Sequence, residues 1–303
     1  MRIGVALGGG GARGWAHIGV LRKLIAAGFE PDVVAGTSMG AIVGGAFAAG
    51  RLNELEKFAL ALDRRGVWKL TDLNLGKGGG LVAGERVVQV LNETIGDHDI
   101  KALKKKFAAV ATELLTGHEV WLEDGKLIAA MRASYALPGI FVPSIIDGRP
   151  LVDGGITNPV PVSACRALGA QIVIAVPLPA TQNPADRFAR ETPEAEATAW
   201  QKAQAAFREP ERFVARQLFG DEPGTLTTAS VSVAALNILL DRMTRVRLAS
   251  DPPDITVTPD IAPIAMLEFD RAAEAIALGA AATERALPEI KALVEAQHRH
   301  RNP

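Results

Sequence analysis

The sequence "DVVAGTSMGAIVGG", residues 32–45, joins a short run of β-branched residues to a run of small apolar ones through a Gly-x-Ser-x-Gly pentapeptide. The first run predicts a buried strand, and the second predicts a buried helix that ends at Gly50. A serine at the tip of such a connection takes strained backbone dihedrals, so its neighbours must be glycine to avoid clashes. Gly36 and Gly40 meet that requirement. The stretch therefore predicts a nucleophile elbow around Ser38, although a small residue in a tight turn would give the same pentapeptide.

The alternation of strand and helix continues on both sides of this stretch. The apolar run at residues 3–7 predicts a buried strand that ends in four glycines, and the apolar spacing over 14–27 predicts a helix that stops at Gly28. Residues 107–117 and 170–178 predict further buried strands. Strands that alternate with helices indicate a parallel sheet covered by helices, which is an α/β fold.

Composition excludes several classes of function. The chain has 303 residues with 33 Lys plus Arg against 34 Asp plus Glu, so its net charge of -1 gives no overall field that would attract nucleic acid. Cys165 is the only cysteine, which excludes an intrachain disulfide and a cysteine-based zinc cluster. The N-terminus resembles no export signal, and the uncharged run at 33–50 holds too many glycines for a membrane span. We therefore expect no nucleic acid partner and a cytoplasmic location, including the periphery of the inner membrane face.

The chain is expected to form one main domain. Residues 1–180 carry the predicted core, and 251–290 supply a strand and a helix that complete it. Between them, 181–250 is polar and proline-punctuated at first and then apolar, so we expect a helical, partly mobile insertion or lid. The apolar helix at 230–248 either packs on the domain or serves as a lid, a dimer contact or a lipid contact. The tail at 291–303 is expected to be frayed.

The glycine loop "GGGARG", residues 9–14, fits a dinucleotide-binding turn in its spacing alone. A nicotinamide or flavin site would need an acidic residue at the end of the second strand, whereas Glu30 and Asp32 precede that strand. A Walker loop is excluded because no Gly-Lys-Ser or Gly-Lys-Thr follows. Backbone N–H groups at a helix N-terminus instead form an anion site, which can stabilise the oxyanion of acyl transfer.

Five residues of this loop are the candidate oxyanion hole. We expect the N–H groups of Gly10 and Gly11 to be the donors, with Gly9 and Gly14 in the same loop. The Arg13 side chain either adds positive potential near the oxyanion or ties the loop down by bonding carbonyl groups. We favour the second role.

A serine nucleophile needs a base. The order of an α/β-hydrolase triad, serine then acid then histidine, would leave only His298 and His300 of the polar tail after the candidate acid, so a triad is disfavoured. Asp153 stands at a predicted strand end, and Gly154 and Gly155 after it let the backbone pass close to another element. An ordinary Asp-Gly turn would look the same. Together with the other two motifs, catalysis by Asp153 becomes the favoured interpretation.

Three motifs in this order resemble the patatin-like phospholipases. They are "GGGGARG" at 8–14, "GTSMG" at 36–40 and "DGG" at 153–155, and the connecting stretches "RASYALPGIF" and "DGGITNPVPV" are also similar. The resemblance covers about residues 1–178, with a weaker likeness near the end of the chain.

The resemblance implies a three-layer α/β/α sandwich with a mostly parallel central sheet. It implies that Ser38 is the nucleophile and Asp153 the base of a Ser-Asp dyad, with the glycine loop as the oxyanion hole. Family members hydrolyse acyl esters of phospholipids, lysophospholipids or neutral lipids without a metal, so no cofactor is expected. For Asp153 to accept a proton near neutral pH its pKa should be raised, most simply by burial.

The expected partners are a lipid or acyl-ester substrate and, transiently, a membrane surface. Homo-oligomer formation stays open. A catalytically silent regulatory or scaffold protein on the same fold is the main alternative, and it would tolerate Ser38→Ala. A nucleotide-binding oxidoreductase is a second alternative, and it would show nicotinamide or flavin absorbance. The three intact motifs favour the hydrolase.

Overall fold

Ten strands are present among the residues that the computed structural model describes, which are 1–72, 74, 79–179 and 228–301. All residues of the first, second and ninth strands are buried, because a strand inside a covered sheet is buried on both faces. In chain order the strands are β1 Ile3–Leu7, β2 Val33–Thr37, β3 Gly80–Val82, β4 Lys106–Glu113, β5 Glu119–Leu122, β6 Gly139–Phe141, β7 Ser144–Ile146, β8 Arg149–Asp153, β9 Ile172–Val176 and β10 Ile255–Thr256.

The helices lie between these strands, as the alternating pattern predicted. They are α1 Ala16–Ala26, α2 Met39–Ala48, α3 Leu52–Ala61, α4 Arg64–Lys69, α5 Glu85–Ile95, α6 Leu127–Ser134, α7 Val162–Ala167, α8 Thr228–Ser250 and α9 Ala272–Arg301. A 3-10 turn, Gly11–Trp15, precedes α1, and another, Gly154–Ile156, follows β8. None of the described helices combines the length and the apolarity that crossing a bilayer requires.

The central sheet is mostly parallel. Its strands follow the spatial order β10-β9-β1-β2-β4-β8-β7, with β5 paired to β4. The pairs from β10 to β4 are parallel, whereas β5, β7 and β8 join by antiparallel pairing. Val5 and Leu7 belong to the larger core cluster, while Ala6 between them belongs to a second cluster against α7. Both faces of the sheet are therefore covered, and the predicted α/β architecture is confirmed.

The last part of the described chain returns to the sheet and then covers it. β10 pairs in parallel with β9, and α9 packs on α1. The helix continues to Arg301 rather than fraying from residue 291, as the sequence had led us to expect. Ile290 is fully buried, and Leu293 and Val294 pack against the core, so the apolar stripe of the helix extends past the expected boundary. Residues 181–227, expected as a polar insertion, lie outside the described residues.

Two glycines bring the backbones of α1 and α9 into contact. A Cβ atom added at Gly19 would lie 1.9 Å from the Ile276 carbonyl oxygen, and one added at Gly279 would lie 2.0 Å from the Ala16 carbonyl oxygen. No side chain fits at either position without separating the helices. Because α1 follows the glycine loop directly, this contact also fixes the base of that loop.

Gly19→Ala is expected to lower the free energy of unfolding by at least about 1–3 kcal/mol, because the methyl group must push α9 away from α1. Denaturant unfolding measures the change. Gly66→Ala is the matched control on α4, since its nearest neighbour is the end of the Leu62 side chain at 3.0 Å and alanine favours the helix. Equal losses in the two variants would contradict the proposed backbone contact.

Candidate active site

Ser38 lies at the turn between β2 and α2, with φ 56° and ψ -123°. This is a strained region for a residue other than glycine. A Cβ atom at Gly36 would lie 2.3 Å from the Gly40 carbonyl oxygen, and one at Gly40 would lie 2.0 Å from the Leu7 carbonyl oxygen. The turn therefore requires glycine on both sides of Ser38. It leaves the serine half-buried at its tip.

Ser134 holds the backbone of the strained serine. The Ser38 N–H donates to Ser134 Oγ at 2.8 Å, and the Ser134 hydroxyl donates to the Val110 carbonyl oxygen at 2.6 Å. Ser134 is fully buried at the end of α6. Sequence reasoning gave this residue no role. The available signal was a serine at the end of a mostly apolar helical stretch.

The register of β4 brings Asp153 to Ser38. β4 lies between β2 and β8, with Thr37 opposite Val110 and Asp153 opposite Ala111. The last residue of β8 and the residue after β2 are thus separated by the width of one strand. The Asp153 carboxylate lies beside the Ser38 side chain, whose hydrogen bonding acts to lower the pKa of that carboxyl.

Asp153 is buried, with 2% of its surface exposed. Burial raises its pKa from 3.8 to about 6, although hydrogen bonds from Ser38 and from the Gly155 N–H act in the opposite direction. The Gly155 N–H donates to Asp153 Oδ1 at 2.8 Å. Gly154 lies against β4, where a Cβ atom would be 2.2 Å from the Val110 carbonyl oxygen. The predicted rise of the Asp153 pKa is confirmed, and both glycines contribute to its position.

The glycine loop passes directly beside Ser38. A Cβ atom at Gly9 would lie 3.3 Å from Ser38 Cβ. The Gly9 N–H donates to the Pro159 carbonyl oxygen at 3.0 Å, so this residue brings the loop close but does not offer its amide to a ligand. Within the described residues, no hydrogen bond engages the N–H groups of Gly10 and Gly11. These two amides are the ones we expected to act as donors.

The other loop glycine and the loop arginine have supporting contacts. A Cβ atom at Gly14 would lie 2.3 Å from Met39 Cβ, so Gly14 allows the loop to pack on the residue after Ser38. Arg13 is buried, and its Nε donates to the Gly10 carbonyl oxygen at 3.1 Å. The expectation that Arg13 ties the loop down by bonding a carbonyl group is confirmed. Its Nη2 also donates to Asn237 Oδ1 on α8 at 2.8 Å, which the sequence did not predict.

His17 holds the start of the same loop through a buried hydrogen bond. It is fully buried, and its Nε2 donates to the Gly8 carbonyl oxygen at 2.7 Å. Burial lowers the His17 pKa to about 4, so the ring is neutral at physiological pH. Sequence reasoning had found no catalytic role for it, and no histidine whose side chain is described lines the cavity next to Ser38. The residue that meets Ser38 is a carboxylate.

A cavity of about 200 Å³ opens beside Ser38, Asp153 and the glycine loop. Most of its lining is apolar and comes from the helices on one face of the sheet and from the segment before α9. Representative residues are Phe58, Leu62, Val87, Leu91, Phe141 and Phe269. Tyr135 also lines it, and within the described chain its buried hydroxyl has no hydrogen-bond partner. The polar atoms of the site thus lie at one end of an apolar space.

Comparison with known proteins gives consistent similarities. The family model of the patatin-like phospholipases matches residues 5–166. An uncharacterised NTE family protein of Mycobacterium bovis is 34% identical, over 94% of this chain and 91% of its own length. The lysophospholipase nte1 of Emericella nidulans is 31% identical over 57% of this chain, a match that spans 12% of the fungal protein. The crystal structure of VipD from Legionella pneumophila aligns with a TM-score of 0.46 at 14% identity, covering 95% of this chain and 67% of VipD.

Ser134→Ala is expected to lower the free energy of unfolding by about 1–3 kcal/mol, because it leaves the Ser38 N–H and the Val110 carbonyl without a partner in a buried place. Ser250→Ala serves as control, since Ser250 is exposed at the end of α8 and should change stability by less than about 0.5 kcal/mol. Urea unfolding of both variants measures the difference. An unchanged stability for Ser134→Ala would show that the two hydrogen bonds do not hold the turn.

Proposed function

The chain belongs to the patatin-like phospholipase family, and from this we propose that it is a serine acyl hydrolase that cleaves carboxylic esters of lipids through Ser38 and Asp153. The observation that carries the proposal is the placement of Ser38 and the buried Asp153 one strand apart, where both line a mostly apolar cavity. A serine beside a carboxylate, two backbone amides that no hydrogen bond engages within the described chain and an apolar space together suit acyl transfer from a lipid.

Acylation begins with Ser38. As its Oγ attacks the ester carbonyl carbon, the hydroxyl proton passes to Asp153 and the carbonyl oxygen becomes an oxyanion. The N–H groups of Gly10 and Gly11 donate to that oxyanion, and each such donor is worth roughly 10²–10³ in kcat. The bond from the carbonyl carbon to the leaving alcohol then breaks, and the alcohol takes the proton from Asp153. The acyl group remains on Ser38.

Deacylation reverses these roles with water as the nucleophile. The water oxygen attacks the acyl carbon while Asp153 accepts a proton from that water. The same two amides stabilise the second oxyanion. The bond to Ser38 Oγ breaks, the serine regains its proton, and the fatty acid leaves. A pKa of about 6 suits Asp153 to this work, because the group is ionised at neutral pH yet is a stronger base than an ordinary aspartate.

The cavity supports an acyl chain as the part of the substrate that is bound. Most of its wall is apolar, so a hydrocarbon chain can enter while the ester stays beside Ser38 and Asp153. The name of the fungal relative, lysophospholipase nte1, supports lysophospholipids as substrates, and the name of the family supports phospholipids. Both carry a long acyl chain on a polar alcohol.

Ser38→Ala and Asp153→Asn are each expected to lower kcat/KM by roughly 10³-fold or more, because the first removes the nucleophile and the second removes the base while keeping a hydrogen-bond acceptor. The assays are hydrolysis of p-nitrophenyl butyrate and of lysophosphatidylcholine micelles. Ser250→Ala and Asp147→Asn are the matched controls at exposed positions, and circular dichroism checks that each variant is folded. Retained activity in Ser38→Ala would refute the mechanism, and a silent wild type on both substrates would favour the scaffold alternative.

The pH dependence gives a second test. Activity needs the ionised carboxylate, so kcat/KM should rise with pH to a plateau, with a midpoint near the Asp153 pKa of about 6. Because burial raises this pKa from 3.8 to about 6 on folding, the neutral carboxyl contributes stability that is fully present below pH 3.8 and is lost as the pH rises to about 6. The stability of Asp153→Asn should therefore rise relative to that of the wild type between these two pH values, as measured by denaturant unfolding. A midpoint near pH 4 with no such gain would contradict the role of burial.

A further inference from the structure

The helix α8 lies across the polar end of the cavity. Asn237 accepts the hydrogen bond from Arg13 of the glycine loop, and Leu240 packs on the DGG turn, where a Cβ atom at Gly155 would lie 3.0 Å from Leu240 Cδ2. Leu240 and Thr244 also line the cavity. These residues follow one another at helical spacing, so a single face of α8 covers the site.

The C-terminal part of α8 is fixed in the same orientation. Arg247 Nε donates to the Thr157 carbonyl oxygen at 2.8 Å, and the guanidinium forms an ion pair with Glu119 on β5. Leu248 packs against the smaller core cluster. Because Asn237 and Arg247 fix the side of α8 that faces the protein, they also fix the side that faces solvent.

The opposite face exposes large apolar side chains. Leu239 and Val246 are 65% and 62% exposed, and Val231 and Ile238 are 49% and 40% exposed. Ala235 is exposed on the same face. The spacing of these positions is again helical, so the side chains form one stripe, which we call the outer stripe of α8. Contiguous exposed apolar surface of this kind marks an interaction site rather than ordinary surface.

The charges on this face are positive. Arg242 and Arg245 are exposed within the outer stripe, whereas Asp241, the only acidic residue of α8, is turned inward with 9% of its side chain exposed and pairs with Arg245. The helix holds three arginines against that one aspartate, in a chain whose net charge is only -1. Apolar residues flanked by arginines are typical of a helix that lies in the interface of an anionic bilayer.

We propose that the outer stripe of α8 binds the surface of an anionic phospholipid bilayer. The inference rests on the proposed function, since the ester of a membrane lipid is found in that surface. Contact there would place the cavity, which the inner face of the same helix covers, one helix diameter from the lipid. A symmetric dimer through this stripe fits less well, because it would gather four arginines in one interface without an exposed acidic residue from α8.

The test measures vesicle binding apart from catalysis. All variants carry Ser38→Ala, so lipid is not consumed, and sedimentation is compared between phosphatidylcholine vesicles with and without an equal amount of phosphatidylglycerol. The protein should bind the anionic vesicles, and Leu239→Glu with Val246→Glu should weaken binding at least tenfold. Arg242→Gln with Arg245→Gln should abolish the preference for anionic lipid. In the protein with the original outer stripe, added salt should lower the same preference.

The matched control places two glutamates on other elements. Leu60 on α3 and Ile145 on β7 are 53% and 67% exposed, so Leu60→Glu with Ile145→Glu adds the same charge at similar exposure and should bind as before. With Ser38 restored, Leu239→Glu with Val246→Glu should hydrolyse p-nitrophenyl butyrate at the wild-type rate, which shows a folded protein and a working site. Failure of the proposed function would remove that hydrolysis and leave vesicle binding measurable.

Three results would overturn the proposal. The first is equal sedimentation with anionic and neutral vesicles. The second is unchanged binding after Leu239→Glu with Val246→Glu. The third is a dimer, detected by light scattering, that these two substitutions dissociate without changing vesicle binding, which would assign the stripe to a contact between two copies of the chain.

Discussion

The backbone of Val110 on β4 sets the separation of the two residues that meet in the site. Val110 pairs with the strand that ends before Ser38, and its carbonyl oxygen accepts the Ser134 hydroxyl that in turn holds the Ser38 amide. The turn after Asp153 passes against the same carbonyl, which only a glycine at position 154 permits. A single residue in the middle of a buried strand thus positions both Ser38 and Asp153, and the sheet holds the two residues at a fixed separation.

Burial shifts the pKa values of two groups at the site toward their neutral forms. Burial raises the pKa of Asp153 to about 6 and lowers that of His17 to about 4, so in each case the neutral form is favoured. His17 then serves as a neutral donor to the Gly8 carbonyl oxygen. Arg13 keeps its charge, which a carbonyl group and an amide oxygen surround. An acyl chain that enters the cavity therefore has few charged groups to desolvate on this side of the site.

Local signals were sufficient for most strands of the central sheet, for the helices around β2 and for the positions of the three motifs, whereas β3, α5 and β7 were not predicted. Glycine punctuates the chain where β1 and β2 end, and both the elbow around Ser38 and the loop beside it need that conformational freedom. Long-range register was beyond the sequence. Nothing near Ser134 or Asn237 indicates their partners, since these lie across the fold, and the antiparallel direction of β8 follows from its pairing with β4. The helix beyond residue 290 was not predicted, because Leu293 and Val294 are buried by contacts with the core that the local sequence does not reveal.

The glycine loop near the start of the sequence is held by residues near the other end of the sequence. The Ala12 N–H donates to the Met266 carbonyl oxygen at 2.8 Å, and Gly11, with φ 59°, passes so close to that oxygen that a Cβ atom would lie 2.3 Å away. Trp15 Nε1 donates to the Phe269 carbonyl oxygen, and Gly19 meets α9. The shape of the loop therefore depends on residues that lie far away in the sequence. Removal of the residues from Met266 onward is therefore expected to disturb the loop beside Ser38, although it deletes no residue of the loop itself.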